Sequence, residues 1–282
     1  MQINQGMNSR QLTIAQKPQY EKVDILNISI DNMSLVELLE KLKYGGIVFT
    51  PNVDHIVKLQ TDESFYRTYQ QADYRVCDSQ ILMMASRFLG SPIKEKISGS
   101  DLFPAFYNYY RKDLSIKIFI LGGSEGTAEA AQQKINQKVG RDAVGCEMVV
   151  DHYCPPFGFE NDEAECAKII DKINQSDANV LAIGVGSPKQ ELWICQHKHK
   201  LKRIKTFFAI GATIDFEAEY KSRAPKWISS AGLEWFYRLM HEPGRLWKRY
   251  LVDDTSFLFF VLLQKMNIFP KDACRNFKNT KD

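Results

Sequence analysis

The sequence predicts an α/β protein with a Rossmann-like parallel sheet flanked by helices, and two observations carry this prediction. Four short apolar, β-branched runs are each followed at once by glycine, proline or short polar residues, at 46–49, 116–120, 180–183 and 206–210. Continuous apolar runs are typical of strands buried on both faces, which occur where helices cover a parallel sheet. From residue 115 onward strand and helix patterns alternate, which favours right-handed crossovers between parallel strands.

Composition indicates a soluble globular protein. The chain has 282 residues, of which 44% are apolar and 25% charged, so it can bury an ample core. Its six cysteines form no CxxC pair, which favours reduced thiols in the cytosol. We expect no signal peptide, because residues 1–20 are polar and glutamine-rich, and no transmembrane anchor, because the apolar run 257–263 is far shorter than the roughly 20 residues that span a bilayer.

Charge is distributed unevenly along the chain. Residues 221–282 carry a net charge of +6 and many aromatic residues, whereas residues 1–220 carry −3. We therefore predict a disordered tail (1–20), an α/β core (21–220) with a small N-terminal α/β part, and a basic, aromatic, helical C-terminal appendage (221–282). The appendage is expected to contact an anionic surface, either an anionic lipid face or nucleic acid. No nucleic-acid-binding motif supports the second.

The first half of the chain predicts short strands separated by helices. Strands are predicted at 23–30, 47–49 and 74–77, and helices at 35–44, 53–59, 63–71, 79–89 and 102–111. Ser34 with Glu37 three residues later forms a capping box, which predicts where the first helix begins. Ser100 or Asp101 is expected to cap the last of these helices.

The second half predicts a regular βα alternation. Strands are predicted at 116–121, 146–150, 180–184 and 206–210, and helices at 125–139, 161–175 and 189–201. Ligands of open parallel sheets bind beyond the carboxyl ends of the strands, where the polar junctions lie. The pattern therefore predicts a nucleotide-type crevice and an enzyme.

Two glycine-rich junctions are candidates for phosphate contact. At Gly122-Gly123, bare N–H groups at a helix start can bind phosphate, although a plain tight turn explains the same residues equally well. In the segment GVGSPKQE at 184–191, Lys189 stands at the positive end of a helix, where a cation is disfavoured unless an anion is nearby. We interpret this second segment as functional rather than as a capped helix with a solvated first turn.

Carboxylates at the ends of predicted strands can be either helix N-caps or functional groups of the crevice. Asp78 directly follows Cys77 and is either the N-cap of the next helix or a general base that reaches into the crevice; spacing alone favours the cap. Asp101 and Asp215 carry the same ambiguity. Lys96 precedes a helix start and is either a phosphate contact or a solvated lysine.

The histidines give no metal signature. His197 and His199 lie in a segment rich in lysine and are expected on a solvated helix face. Asp253-Asp254 lies away from any strand end, so it does not indicate metal–nucleotide chelation. We predict no metal site and no cofactor.

A series of motifs occupies the junctions in order along residues 24–252. They are TPNVDH at 50–55, VCDS at 76–79, ISGSDL at 97–102, LGG at 121–123, PPFGF at 155–159, GVGSPKQE at 184–191, GATIDF at 211–216, RAPKW at 223–227, GLEWFYRL at 232–239, EPGR at 242–245 and RY at 249–250. Taken together, these motifs resemble the WecG/TagA/CpsF family of bacterial glycosyltransferases.

This resemblance implies a metal-independent, inverting transfer of a sugar from a UDP donor to an undecaprenyl-diphosphate-linked saccharide. In the best-known members the donor is UDP-N-acetylmannosamine and the acceptor carries N-acetylglucosamine, in wall teichoic acid synthesis; relatives act in capsule and exopolysaccharide synthesis. The expected partners are a UDP-sugar, a lipid-diphosphate-linked acceptor and an anionic membrane surface, without nucleic acid. The resemblance also implies a cytoplasmic protein peripherally associated with the inner face of the bacterial membrane, able to form homo-oligomers.

Matching the motifs residue by residue implies roles for individual side chains. Asp78 is expected to be the general base, with Thr50 and Gln190 beside the reacting sugar. Donor and nucleotide contacts are expected from Asn52, Gly122, Gly123, Phe157, Gly184, Gly186, Lys189 and Asp215. Without a metal, cations must hold the diphosphates; the resemblance and the charge pattern suggest Lys96, Arg223, Arg238, Arg245 and Arg249.

The sequence departs from the family pattern at three places. Cys77-Asp78-Ser79 replaces the usual Ala-Asp-Gly, Lys96 stands where an arginine is frequent, and Glu219 replaces a glycine. These changes leave the class intact but weaken any transfer of donor identity. The alternative function is a non-catalytic nucleotide-binding regulator or scaffold at the membrane, which UDP binding without turnover would favour.

Overall fold

The protein is described by a computed structural model that covers part of the chain. The described residues are 20–141, 145–220, 225, 228, 234–241, 243–248 and 255–270. The tail predicted at 1–20 therefore lies outside the described residues except for Tyr20, as does much of the appendage predicted at 221–282.

Apart from the N-terminal hairpin and the short helix after the last strand, strands and helices follow one another in the order that the sequence predicts for the core. The strands are β1 (Lys22–Ile25), β2 (Ile28–Asp31), β3 (Gly46–Phe49), β4 (Tyr74–Arg75), β5 (Ile118–Gly122), β6 (Val149–Tyr153), β7 (Val180–Gly184) and β8 (Thr206–Ala209). The helices of the core are α1 (Leu35–Leu42), α2 (Val53–Thr61), α3 (Glu63–Gln70), α4 (Gln80–Leu89), α5 (Gly99–Tyr109), α6 (Thr127–Val139), α7 (Glu163–Gln175), α8 (Lys189–His197) and α9 (Thr213–Glu217). Beyond them lie α10 (Glu234–His241), α11 (Pro243–Lys248) and α12 (Ser256–Lys265).

Among the described residues, six strands form one parallel sheet in the order β4-β3-β8-β7-β5-β6. Alternate residues of its central strands enter two separate apolar cores, one on each face. Phe119 and Leu181 belong to one core, and their neighbours Ile118 and Val180 to the other. Burial on both faces explains why these strands are continuous apolar runs, and it confirms the predicted Rossmann-like α/β fold.

The chain changes direction across the sheet between β5 and β7. From β5 the chain runs through α6 to β6 on one side, and from β7 it runs through α8 to β8 on the other. Ala131 of α6 packs in one core and Trp193 of α8 in the other, so the two helices cover opposite faces. Two neighbouring strands whose connections leave in opposite directions open a crevice at their carboxyl ends, which is where ligands of such sheets bind.

The N-terminal part differs from the prediction. The single strand expected at 23–30 is an antiparallel hairpin, β1 paired with β2, with Ile25 opposite Ile28. The chain reverses through Leu26, whose φ is +55°, and Asn27. The predicted capping box is confirmed: Glu37 N–H donates to Ser34 Oγ, and the Ser34 backbone N–H donates to the Glu37 carboxylate.

Several predicted boundaries were wrong by a few residues. β4 comprises only two residues, and the strand expected at 146–150 lies at Val149–Tyr153. Helix α5 begins at Gly99 because Ser98 is its N-cap and accepts the Asp101 N–H at 3.1 Å, so neither Ser100 nor Asp101 caps it. The helix expected at 189–201 ends at His197 and continues as one 3₁₀ turn.

The solvated face predicted for His197 and His199 was wrong for the first of them. His197 is only 5% exposed, and its ring lies 4.9 Å from the ring of Trp193, centroid to centroid. Burial lowers the pKa of His197, so it is a neutral core residue. His199 is exposed, as expected.

The C-terminal helix α12 docks on the core at the N-terminal hairpin. Phe257 and Val261 are buried in the core that also contains α2 and α4. Gln264 Oε1 accepts the Leu26 N–H at 2.8 Å, and Gln264 Nε2 donates to the Asp24 carbonyl at 3.0 Å. No helix in the described part of the chain is long and apolar enough to cross a membrane.

Candidate active site

A cavity of about 670 Å³ opens at the carboxyl ends of β5, β7 and β8, where the chain changes direction. This volume is in the range of sites that hold small organic ligands. Its lining comprises Gly123, Ser124, Pro155, Pro156, Phe157, Gly158, Phe159, Glu160, Gly184, Val185, Gly186, Lys189, Gly211, Ala212, Asp215 and Tyr220. Six of the eight residues predicted for donor binding therefore line one cavity: Gly123, Phe157, Gly184, Gly186, Lys189 and Asp215.

Close packing of strand ends requires two of the glycines. A Cβ on Gly122 would lie 2.5 Å from the Gly184 carbonyl oxygen, and a Cβ on Gly184 would collide with the Gly211 carbonyl oxygen. Gly122 does not line the cavity, so the structure gives it this packing role instead. Gly186, by contrast, has open space around it and a φ of +86°, which a turn residue adopts without strain only as glycine.

Phe157 and Lys189 lie together at the cavity. The Phe157 side chain is 100% exposed, whereas Phe159, in the same loop, is 4% exposed and packs near Trp193. Lys189 Nζ lies 4.5 Å from the centroid of the Phe157 ring and forms an ion pair with Glu160. The anion expected near Lys189 is therefore present within the chain, and the exposed ring is available for stacking.

Of the three residues predicted around the reacting sugar, Thr50 and Asp78 follow the neighbouring strands β3 and β4, and Gln190 lies in the first turn of α8. None of the three is in the lining of this cavity. Asp78 N–H donates to the Pro51 carbonyl at 2.9 Å, which fixes Asp78 beside the end of β3. Thr50 and the residue after β8 both lie next to Gly99. A Cβ built on Gly99 would be about 3.6 Å from Thr50 Oγ1 and about 3.6 Å from the Ile210 backbone, so Thr50 borders the end of β8. Gly211 N–H donates to Gln190 Oε1 at 3.1 Å, and Gly211 itself lines the cavity.

Asp78 is not a helix cap. Ser79 is the N-cap of α4, and its Oγ accepts the Leu82 N–H at 3.3 Å. The spacing argument that favoured Asp78 as the cap was therefore wrong by one residue. Asp78 is partly exposed at the strand end. The preceding Cys77 is buried, which raises the pKa of its thiol to about 12, so it is inert as a nucleophile.

Of the other polar residues considered from sequence, Asn52 and Asp101 make hydrogen bonds at helix starts, whereas Lys96 lies near Asp78. Asn52 is the N-cap of α2, where its Oδ1 accepts the His55 N–H at 3.2 Å. Asp101 Oδ2 accepts the Ser98 hydroxyl at 2.6 Å at the start of α5. Lys96 lies beside Cys77, whose carbonyl accepts the Ile97 N–H at 2.7 Å, and it is therefore close to the end of the strand that leads to Asp78.

The predicted arginines are outside what the structure describes. Arg223 and Arg249 are not among the described residues, and the side chains of Arg238 and Arg245 are not described although α10 and α11 are. Within the described ranges, no group of three or more His, Cys, Asp or Glu side chains is arranged to hold a metal ion.

Glu191 is a buried acid to which the sequence assigned no role. It is 1% exposed, and burial raises the pKa of its carboxyl to about 7. Nearby, His55 Nδ1 and the buried Tyr69 hydroxyl lie 2.5 Å apart. Burial raises the pKa of Tyr69, and the charges of Glu191 and Asp78 raise it further, so these groups form one polar cluster under the strand ends. Only the position of Glu191 directly after Gln190 could have indicated this from sequence.

Comparison with known proteins gives a consistent result. The model of the glycosyl transferase WecG/TagA/CpsF family matches residues 23–270. The N-acetylglucosaminyldiphosphoundecaprenol N-acetyl-beta-D-mannosaminyltransferase of Staphylococcus aureus strain MRSA252 is 25% identical over 246 residues, which cover 84% of this chain and 90% of that protein. Proteins of the same name from strains MW2 and NCTC 8325 / PS 47 are each 24% identical over 246 residues, with the same coverage.

Proposed function

The chain belongs to the WecG/TagA/CpsF family of glycosyl transferases, and from this we propose that it moves N-acetylmannosamine or a related hexose from a UDP donor to an undecaprenyl-diphosphate-linked saccharide. The names of the relatives support the lipid-linked acceptor and the sugar. We propose further that the transfer inverts the anomeric configuration and needs no metal. The product belongs to a cell-surface polysaccharide such as a teichoic acid or an exopolysaccharide.

The observation that carries this proposal is the hydrogen bond that joins the cavity to the residues predicted around the reacting sugar. Gly211 lines the cavity and at the same time donates its N–H to Gln190. A ligand whose nucleotide occupies the cavity can therefore extend its sugar past Gly211 towards Gln190 and Thr50. A nucleoside diphosphate sugar has this two-part shape.

Each half of the site suits one part of the donor. In the cavity, the exposed ring of Phe157 stacks on the uracil base and Lys189 contacts the diphosphate. The N-terminal end of α8 adds the positive end of its helix dipole on the same side. Asp215 lies in the lining and supplies an acceptor for sugar or base groups.

Asp78 acts as the general base in this proposal. Its carboxylate takes the proton from the acceptor hydroxyl as that oxygen bonds to the anomeric carbon of the donor sugar. The bond from this carbon to the diphosphate oxygen breaks on the opposite face, and UDP leaves with the electron pair. Lys96 and the arginines predicted at 223, 238, 245 and 249 hold the diphosphates of the two substrates.

We also propose that the protein acts at the inner face of the membrane without crossing it. The acceptor is a membrane lipid, and α12 presents exposed apolar side chains, among them Leu258, Phe259 and Leu262. Lys265 adds positive charge beside them. A surface that combines apolar and basic groups fits an anionic lipid interface.

The test is UDP release from a panel of UDP-sugars, in EDTA, with a lipid-diphosphate-N-acetylglucosamine analogue as acceptor. We expect acceptor-dependent release by the wild type and a loss of about 10²–10⁴-fold in kcat in Asp78→Asn, because proton transfer by a positioned base contributes that much. Asp177→Asn is the matched control, since Asp177 is an exposed carboxylate paired with Lys117 and Arg203 just before β7, at the other end of that strand.

Each contrary outcome removes a specific part of the proposal. Release that survives in Asp78→Asn would show that another group is the base. Release that requires an added divalent cation would remove the claim of metal independence. UDP binding without release from any donor would favour a nucleotide-binding regulator in place of a transferase.

A further inference from the structure

The side-chain amide of Gln190 is held at both ends. Its Oε1 accepts the Gly211 N–H at 3.1 Å, and its Nε2 donates to Glu191 Oε1 at 2.9 Å. Both side chains are buried, at 4% exposed for Gln190 and 1% for Glu191. An amide that is held at its oxygen and at its nitrogen cannot rotate by 180°, so the direction of its remaining N–H is determined.

Glu191 does more than fill space in the core. An apolar side chain of the same size would pack there at lower cost, because a buried carboxyl is expensive unless its hydrogen bonds are satisfied. Glu191 Oε1 accepts the Gln190 Nε2–H at 2.9 Å, and the Ser187 hydroxyl and the Glu191 backbone N–H also stabilise the carboxylate. Of these contacts, the hydrogen bond to Gln190 is the one that reaches the proposed site and that an apolar residue would not provide.

We propose that Glu191 is a positioning residue that acts through Gln190: it holds the Gln190 amide in the orientation that presents its free N–H to the donor sugar. The inference rests on the proposed function, because it takes Gln190 to lie beside the reacting sugar. Glu191 itself is 1% exposed and does not line the described cavity, so it acts through Gln190. Its contribution is to the turnover step rather than to nucleotide binding.

The surroundings of Glu191 make this contact depend on pH. Burial raises the pKa of Glu191 to about 7, although the hydrogen bond from Gln190, the Glu191 backbone N–H, the Ser187 hydroxyl and the charge of Lys58 in α2 each lower it. Tyr69 of α3 and Cys195 of α8 also lie within electrostatic reach, and burial keeps both of them protonated in this range. A carboxylate accepts a stronger hydrogen bond than a neutral carboxylic acid. The orientation of Gln190 is therefore held most firmly above pH 7 and less firmly below it.

Two substitutions separate the hydrogen bond from the charge. Glu191→Gln keeps a carbonyl oxygen that can accept from Gln190 but cannot ionise. Glu191→Met keeps a similar volume and cannot accept this bond. We expect Glu191→Met to lose at least tenfold in kcat while the Kd for UDP stays within twofold. Glu191→Gln should retain kcat within about threefold, with a ratio of wild-type to variant kcat near 1 at pH 6 that rises towards 3 at pH 8.

A second measurement tests the hydrogen bond between Gly211 and Gln190 without requiring turnover. Hydrogen exchange of the Gly211 amide reports whether Gln190 still accepts its N–H. We expect this exchange to become faster in Glu191→Met and to stay unchanged in Glu191→Gln, and Glu191→Gln alone still tests the pH dependence if Glu191→Met does not fold. Absence of wild-type turnover would contradict the proposed function. The exchange rate of the Gly211 amide would then still test whether Glu191 holds the Gln190 side chain in place.

Three results would overturn the inference. An unchanged kcat in Glu191→Met would show that Gln190 needs no second contact. Equal losses of kcat in Glu191→Met and Glu191→Gln would show that the charge of Glu191, and not its hydrogen bond to Gln190, is required. A parallel loss of UDP affinity in Glu191→Met would show that the residue only supports the fold.

Discussion

Two phenylalanines of the same loop differ completely in solvent exposure, although nothing in the sequence distinguishes them. Phe157 and Phe159 are two residues apart in one loop, and the structure exposes the first completely and buries the second. Gly158 between them has a φ of +85°, which turns the chain so that consecutive aromatic side chains point in different directions. Of these two rings, the fully exposed Phe157 is the one that can stack on a base by its ring face.

Replacing Phe157 should weaken nucleotide binding without weakening the fold. Phe157→Ala is expected to raise the Kd for UDP by about 5- to 30-fold, because stacking of a base on an aromatic ring contributes about 1–2 kcal/mol. Calorimetric titration with UDP measures this effect. Phe159→Ala is the contrasting variant and should lower the free energy of unfolding by about 3–5 kcal/mol. Equal UDP affinities of Phe157→Ala and the wild type would exclude the stacking role.

Glu219 shows how one departure from the family pattern is accommodated. Its φ is +60°, a left-handed conformation that glycine adopts more readily than glutamate. Lys134 Nζ donates to its carboxylate at 2.6 Å and to the neighbouring Ala218 carbonyl at 3.1 Å, which ties the strained turn to α6. The hydrogen bond from Lys134 lowers the pKa of Glu219, so the pair is ionised at neutral pH.

At the scale of elements, the strand ends are held together by direct backbone contact. β5, β7 and the turn after β8 approach so closely that a Cβ on Gly122 would collide with the Gly184 carbonyl and a Cβ on Gly184 with the Gly211 carbonyl. Gly184 and Gly211 also line the cavity. The glycines thus determine the shape of the site even where they do not contact the ligand.

A methyl group at Gly184 should therefore be costly. In Gly184→Ala the new Cβ would collide with the Gly211 carbonyl and approach Ile214 Cδ1 at 2.7 Å, so we expect a loss of about 2–4 kcal/mol in the free energy of unfolding. Urea denaturation measures it. Gly186→Ala is the matched control in the same segment, with open space and only backbone strain of about 1–2 kcal/mol. A smaller loss at position 184 than at 186 would contradict the packing argument.

The fold was predictable at this scale because its signals are local. Apolar runs gave the central strands, and the Ser34–Glu37 capping box gave the start of α1. The hairpin at Leu26 was not predictable, since no glycine or proline marks its turn. Tertiary contacts also decided the site: the sequence could place Gln190 and Asp78 at junctions, but the contact between Gln190 and Glu191 and the choice of Ser79 as cap depend on side-chain geometry that spacing does not contain.

At the scale of the whole molecule, α12 extends an apolar surface across two parts of the chain. Met84 and Phe88 of α4 are exposed, as are Leu258, Phe259 and Leu262 of α12. The two helices pack against each other, and Lys265 Nζ of α12 lies 5.5 Å from the centroid of the Phe88 ring. The core and the C-terminal part therefore share one exposed apolar patch.

Acidic substitutions in this patch should reduce binding to anionic vesicles. The double variant Phe259→Glu and Leu262→Glu is expected to lower partitioning onto vesicles that contain phosphatidylglycerol by at least about tenfold, since each buried apolar side chain contributes about 1.5–3 kcal/mol. Vesicle cosedimentation measures it. Val36→Glu is the control, because Val36 is equally exposed but lies on α1, which packs into the core on the other face of the sheet. Equal partitioning of all three proteins would contradict a lipid-facing role.

The start of α4 connects this patch to the proposed base. Ser79 caps α4 immediately after Asp78, and Met84 and Phe88 follow five and nine residues later along the same helix. At 1.5 Å per residue, these apolar residues lie about 8 and 14 Å along the helix axis from Ser79, the residue that follows the base. If the patch rests on the bilayer, the length of α4 fixes the distance between the lipid surface and the proposed base. Acceptors would then be selected by the distance between their lipid tail and their reacting hydroxyl, before any sugar is recognised.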